Sequence, residues 1–184
     1  MNIDRLETER MLGRTPSRDD FADLDRLHRD PLVMRTLSRD GTLFSHKQTE
    51  QWLESNLEHW ERYGFGTWLF HDKATGTFIG RGGLRHTLAG GTDEVELGYA
   101  ISSGCWNQGY ASEIARAAVR VGFEELGLDE IVCFTLTTNR ASQRVMEKAG
   151  FQYERNIVHV GLPHVFYRMT ADQFHRRGAG SLTR

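Results

Sequence analysis

The most constraining feature of the chain is a change of hydrophobic period at Gly64. Before it, Trp52, Leu53, Asn56, Leu57 and Trp60 recur at helical spacing, and Ser45 stands three residues ahead of Gln48 in a capping-box pattern. After it, three strand-length segments follow, "FGTWLFHD", "FIGRGGLRHT" and "DEVELGYAIS", separated by the turn signals "DKATGT" and "LAGGT". Helix followed by an antiparallel meander is the expected core. In the third segment Val95, Leu97, Tyr99 and Ile101 alternate with Glu94, Glu96, Gly98 and Ala100. Alternation of side chains along a strand puts both glutamates on the face away from the larger apolar residues.

Flanking segments complete the pattern. Residues Leu6 to Arg14 read as one strand, and Ser17 can cap a helix marked by Phe21, Leu24 and Leu27, with a break at Pro31 and a further short helix. Beyond the meander, Ala111, Ile114, Ala115, Ala118, Val121 and Leu126 mark a helix ended by Gly127. "IVCFTLTT" then reads as a strand buried on both faces. Asn139 caps a helix that runs to Gly150, and "FQYERNIVHVG" and "HVFYRMT" close the chain as two strands. The expectation is an α/β (α+β) domain: a mixed, mostly antiparallel central sheet of about seven strands, with helices on both faces.

At 184 residues with 39% hydrophobic content, one domain is expected over residues 1–175, with 176–184 ("RRGAGSLTR") as a loose tail. The net charge of −2 is spread without a basic stripe, which argues against a nucleic-acid partner. "MNIDRLETER" is too charged for a signal peptide and no apolar run approaches membrane-spanning length, so a soluble, cytoplasmic protein is expected. Cys105 and Cys133 read as free thiols. The eight histidines show no H-E-x-x-H or paired ligand spacing, so no metal is expected. "IGRGGL" follows no βαβ unit and reads as a bulged strand rather than a dinucleotide loop. Trp52, Trp60 and Trp68 sit at core positions, with Trp60 or Phe65 the candidates for lining a groove.

The segment "SGCWNQGYASEIARA" is the first candidate site. A strand, a glycine-bearing turn and a helix start in succession present unpaired backbone N–H groups and the positive end of the helix dipole, which together suit an anion. Gly109 admits close approach, Ala111 keeps the first turn low and Ser112 adds a hydroxyl. Many helices begin this way without binding anything. The second segment, "NRASQRVMEKAGFQYE", changes the weight of the first.

Together the two resemble the cofactor core of the GNAT acetyltransferases, in the branch of the RimJ and RimL ribosomal-protein N-terminal acetyltransferases. That branch carries W-x-x-G-Y-A-[ST]-E and N-x-x-S-x-R-x-x-E-K-x-G-F. This chain has Trp106, Gly109, Tyr110, Ala111, Ser112 and Glu113, then Asn139, Ser142, Arg144, Glu147, Lys148, Gly150 and Phe151. "LETERMLGR", "HRDPLVMR", "GFGTWLF", "GTFIGRGGL" and "EVELGYAI" follow in family order, so the resemblance spans nearly the whole chain.

The resemblance implies a GNAT fold and transfer of acetyl from acetyl-CoA to a primary amine. It places the diphosphate on the amides of Gln108, Gly109, Tyr110, Ala111 and Ser112, and the pantetheine arm along Tyr99, Ala100 and Ile101, with Asn139 bonding it from the other side. Arg144 reads equally as a phosphate contact and as a surface helix residue. Glu96 is the expected general base, with Glu94 as rival. Many members of the superfamily place a tyrosine seven residues after the asparagine as proton donor to the thiolate; Met146 stands there, and Ser142 is the nearest hydroxyl in the motif. The favoured acceptor is a protein or peptide α-amine, already partly neutral at physiological pH with a pKa of ~7.7 to 8.0. The alternatives are a small amine, such as a polyamine or an aminoglycoside, and a non-catalytic acyl-CoA sensor. The implied fold often pairs, and the apolar "HVFYRMTADQF" would permit a homodimer.

Overall fold

A computed structural model describes residues 3–38 and 40–181. Strands β1 (Arg5–Glu7) and β2 (Met11–Arg14) lead into helices α1 (Phe21–His28), α2 (Pro31–Leu37) and α3 (His46–Tyr63). The meander is β3 (Thr67–Asp72), β4 (Phe78–Ala89) and β5 (Thr92–Ile101), followed by α4 (Tyr110–Arg120), β6 (Glu130–Leu136), α5 (Arg140–Ala149), β7 (Gln152–His159), β8 (Leu162–Thr170) and α6 (Ala171–Ser181). All eight strands form one sheet in the order β1-β2-β3-β4-β5-β6-β8-β7. Every pairing is antiparallel except β5 with β6.

The sheet has eight strands where the sequence suggests about seven, because Leu6 to Arg14 is a tight hairpin and not one strand. Its turn closes when the Thr8 amide donates to the Met11 carbonyl at 3.0 Å. The turn is also held from a distance: Glu113 on α4 accepts from the Thr8 hydroxyl at 2.6 Å and the Arg10 amide at 2.8 Å. A contact 105 residues away in sequence leaves no trace in local periodicity. At the other terminus α6 continues through Ser181 over part of the segment expected to be a loose tail, and residues 182–184 lie outside the described residues. The apolar residues of "HVFYRMTADQF" serve the chain's own core: Phe166, Tyr167 and Met169 are buried and the Phe174 ring packs against Phe123. Among the described residues no helix is long and apolar enough to cross a membrane.

The helix capping expected from sequence is present. Ser45 accepts from the Gln48 amide and the Gln48 side chain accepts from the Ser45 amide, so α3 starts where the capping box places it. The two faces of the meander are covered by different helices. Leu24 of α1 and Leu53 of α3 pack on Leu69, and Leu27 with Val33 packs on Ala100, forming the front. On the back, Ile114, Ala115 and Ala118 of α4 join Trp68, Phe70, Leu84 and Leu97. A Cβ on Gly82 would lie 2.5 Å from the Ile114 side chain, so the glycine is what lets α4 sit this close.

The feature that shapes the site is the β5–β6 junction. Its ladder is a single parallel pair, Glu96 with Val132. Beyond that pair the strands part, while β6 remains fully laddered to β8. The closed end is clasped by Arg168 of β8, which bonds the Glu94 carboxylate of β5 at 2.9 and 3.1 Å and donates to Glu154 of β7 at 2.7 Å. Glu130 of β6 also accepts from this guanidinium.

Candidate functional site

A cavity of about 890 Å³ occupies the gap between β5 and β6. It runs through the sheet: Trp52, Arg81, Arg85 and Glu96 line it from the front, and Tyr99, Ala111, Ser112, Ser142 and Met146 from the back. That volume lies within the range of small-molecule and cofactor pockets, ~300 to 1,000 Å³.

Of the twelve site residues expected from sequence, the cavity is lined by Glu96, Tyr99, Ala100, Ile101, Gly109, Tyr110, Ala111, Ser112, Asn139, Ser142 and Arg144. Gln108 does not line it. Its side chain donates to the Gly104 carbonyl at 3.1 Å, and its own carbonyl accepts from Arg10 at 2.9 Å. The N-terminus of α4 opens on the cavity with Gly109 as cap, in the left-handed region at φ 85°, and no side chain caps it. The first-turn amides are therefore unpaired by the helix itself. Arg10 clamps this turn, with its guanidinium bonded to Glu113 at 2.7 and 2.8 Å and lying 4.3 Å over the Tyr110 ring. Glu113 of the W-x-x-G-Y-A-S-E motif thus holds the turn from below.

Asn139 caps α5, its side-chain oxygen accepting from the Ser142 amide at 3.1 Å, which leaves its amide nitrogen for the cavity. The Tyr99 hydroxyl stands 2.8 Å from the Ser142 hydroxyl and donates to the Ser142 carbonyl at 3.2 Å. Burial pushes the Tyr99 phenol well above its ordinary value, so it stays protonated. Sequence reasoning assigned Tyr99 through its backbone only. Met146, at the position where the resemblance implied a proton-donating tyrosine for many of the superfamily, is buried in the main core and offers no proton.

Glu96 stands on the front face, as alternation requires. Among the described residues its carboxylate forms no hydrogen bond or ion pair, although the Arg85 and Arg81 guanidiniums are near enough to favour its charged form. Burial outweighs them and pushes its pKa up to about 7. Glu94, the rival, is only 8% exposed and bound to Arg168 and the Thr92 hydroxyl, and the Arg168 bond helps hold it below the usual carboxylate range. A carboxylate occupied in this way is a poor base.

Two arginines escaped the sequence reading. Arg81 and Arg85 pair across the hairpin with Ala100 and Glu96, and so share the front face with Glu96. Between them Gly83 and Gly98 pair and contribute no side chain. A Cβ on Gly98 would meet only a Glu96 oxygen, at 3.8 Å. The bay is walled by Trp52, whose ring lies 4.2 Å from the Arg81 guanidinium carbon, and by Phe44 and Val33. Trp52 therefore lines the groove; Trp60 and Phe65 pack elsewhere, with the Trp60 indole donating to the Thr67 carbonyl at 3.0 Å. The signal was available: period 2 in "GRGGLRHT" puts Arg81 and Arg85 on one face, and the hairpin register makes it the face of Glu96.

Comparison with known proteins agrees with this architecture. Residues 10–152 match the family model described as Acetyltransferase (GNAT) domain. The chain is 34% identical over 154 residues to the uncharacterized protein YkkB of Bacillus subtilis, covering 83% of this chain and 88% of that one. It is 33% identical over 175 residues to the FsC-acetyl coenzyme A-N(2)-transacetylase of Aspergillus fumigatus, covering 86% and 73%. Among solved structures it is similar to an acetyltransferase from Agrobacterium tumefaciens, at TM-score 0.77 and 26% identity over 90% of this chain and 93% of that one. The fold is also shared with RimL, the ribosomal L7/L12 alpha-N-protein acetyltransferase solved with coenzyme A (TM-score 0.73, 16% identity, 92% and 99% covered). A spermidine N-acetyltransferase from Vibrio cholerae solved with CoA and spermine shares it too (TM-score 0.73, 17% identity, 90% and 98% covered). The matched family model spans the parting strands β5 and β6, the uncapped start of α4 and both motifs seated on that opening, and two relatives above 30% identity cover most of the chain: the chain belongs to the GNAT acetyltransferase family and is a GNAT N-acetyltransferase.

Proposed function

We propose that this protein transfers the acetyl group of acetyl-CoA to an α-amine of a protein or peptide by direct attack of the amine. The observation that carries the reading is Glu96: an unpaired carboxylate with pKa about 7, facing a cavity where two strands part. A base titrating near the working pH is the most effective kind. It suits an amine that is itself close to neutral, as an α-amine is.

The residues around the gap fit acetyl-CoA. The unpaired amides of Gly109 to Ser112 and the dipole of α4 suit its diphosphate, with Arg10 holding the turn in shape. Arg144 and Lys148 add positive charge at the cavity wall. From Gly98 to Ile101, β5 has no β6 partner, and its backbone is available to an extended arm. The Asn139 amide faces that arm from α5. Bound acetyl-CoA supplies an acyl group activated as a thioester. Glu96 takes the proton that the acceptor nitrogen sheds. On the opposite face of β5, the Tyr99 and Ser142 hydroxyls hold a proton for the departing thiolate, at a wall where Met146 has none to give.

Acceptor choice follows from charge. Among the described residues Glu96 is the one carboxylate lining the cavity, and at its front it stands beside Arg81 and Arg85, an environment that disfavours a polycation and weighs against a polyamine. The test is thiol release from acetyl-CoA across peptides of different N-termini, polyamines and aminoglycosides, with Glu96→Gln alongside. Peptide turnover is expected to fall ~10²- to 10⁴-fold in Glu96→Gln, with acetyl-CoA affinity by calorimetry nearly unchanged. Undiminished turnover removes Glu96 from the role, and acetyl-CoA binding without turnover of any amine favours a sensor.

A further inference from the structure

Arg81 and Arg85 differ from the arginines that tie this fold together through carboxylates. Arg10, Arg14, Arg18 and Arg168 are each bonded to a carboxylate. Among the described residues Arg81 and Arg85 form no ion pair: Arg81 lies against the Trp52 ring, and Arg85 has a 3.4 Å contact to the Ser55 hydroxyl. The Arg81 Nε is buried with no hydrogen-bond partner. A buried guanidinium nitrogen left unpaired is costly, so it is a ready donor for an anion that enters the cavity. Its neighbourhood makes the cost visible: burial and the nearby Arg85 bring the Arg81 pKa down to about 10.

Both guanidiniums face the front of the cavity on either side of the Gly83–Gly98 floor, beside the carboxylate that meets the acceptor amine. The cofactor's phosphates have their own seat at the far end, on the α4 start and beside Arg144. An anion at Arg81 and Arg85 therefore belongs to the acceptor.

We propose that the acceptor carries a carboxylate close to its reactive amine, and that Arg81 and Arg85 hold it while Glu96 faces the nitrogen. The guanidinium fork matches a carboxylate in two parallel hydrogen bonds, and Trp52 beneath Arg81 fixes the plane of that fork. The requirement is met by two sources of the same chemistry: a peptide with an acidic side chain next to its N-terminal residue, as the proposed acceptor would have, or a free amino acid, which would keep the α-amine but replace the peptide as acceptor. This deepens the proposed function and rests on that reading of the cavity.

The experiment measures kcat/KM by thiol release for matched acceptors: an amino acid against its amide, and a peptide with aspartate at its second position against the same peptide with asparagine. Expected is a preference of about ten- to a hundredfold for the carboxylate member of at least one pair, carried by KM. Which pair shows it identifies the source. Arg81→Gln and Arg85→Gln should each collapse that ratio toward unity, the second being the structurally safer change because Arg85 gives up only its 3.4 Å contact to Ser55, and Arg81→Lys should restore part of it. Equal rates within both pairs, background rates for the whole panel, or a ratio that survives both glutamine variants overturns the proposal. Acetyl-CoA titration by calorimetry separates the two levels: absence of binding overturns the proposed function as well, whereas normal binding with equal rates overturns the carboxylate site alone.

Discussion

At the scale of the residue, the outcome of burial depends on what each carboxylate finds beside it. Glu94 and Glu96 are two positions apart on one face of β5, yet Glu94 is drawn below the ordinary range by Arg168 while Glu96 is raised to about 7. The groups that act on Glu96 are Arg85 and Arg81, which oppose the shift; the nearby Cys133 thiol is raised chiefly by its own burial, with Glu96 adding to it. Two consequences follow for pH. The rate should rise as Glu96 ionises through about pH 7, and Glu96→Gln should remove that step and leave only the titration of the acceptor amine. Stability moves the other way. Because the folded pKa of about 7 exceeds the ordinary 4.5, the stability linked to the protonated form is complete below 4.5 and is lost as pH rises through 7. Glu96→Gln should therefore raise Tm more at pH 8 than at pH 5, by up to about 3 kcal/mol of relative stability. Equal Tm shifts at the two pH values would contradict the burial of this carboxylate.

At the scale of the element, the α4 start and the β1–β2 hairpin are one unit. Glu113 receives four bonds from Thr8 and Arg10, and Arg10 passes on to the Gln108 carbonyl, so the hairpin sets the shape of the Asn107–Gly109 turn. Glu113→Ala leaves the Arg10 amide without its acceptor and the Thr8 hydroxyl with only the Met11 carbonyl at 3.2 Å. The expected cost is about 2 kcal/mol in denaturant unfolding, with acetyl-CoA affinity falling in parallel because the anion seat loses its brace. A variant that weakens stability while calorimetry finds unaltered acetyl-CoA affinity would uncouple the hairpin from the seat. The periodic elements α3, β3, β4, β5, β6 and α5 were legible in the sequence because each carries its own period and its own caps or turns. The hairpin was not, since its turn is stabilised by a partner on α4.

At the scale of the whole molecule, the sheet must be firm at one end of β5–β6 and open at the other. Arg168 supplies the firmness by joining β5, β6, β7 and β8 through Glu94, Glu130 and Glu154. Its side chain is 20% exposed and that of Glu94 8%, so the pair is shielded enough for its loss to matter. Glu94→Gln removes the least exposed of the three carboxylates on Arg168, while Glu130 and Glu154 still neutralise the guanidinium, and should cost about 1 to 2 kcal/mol in chemical denaturation. The step in rate near pH 7 should persist in that variant, because it belongs to Glu96. Disappearance of the step would return the base role to Glu94.

The sequence by itself determined the period of the elements from α3 to α5, the two motifs that seat on the gap, and the face on which Glu96 lies, because alternation and capping are local. Only the tertiary structure decided which carboxylate is free and which is bound, since Arg168 is 74 residues from Glu94. It also decided that Tyr99 and Ser142 bring their hydroxyls together, and that Arg81 and Arg85 line the front of the cavity beside Glu96 with no ion pair among the described residues. Those outcomes depend on register between strands distant in the chain and on how much water the packing leaves, and neither quantity is written in a local pattern.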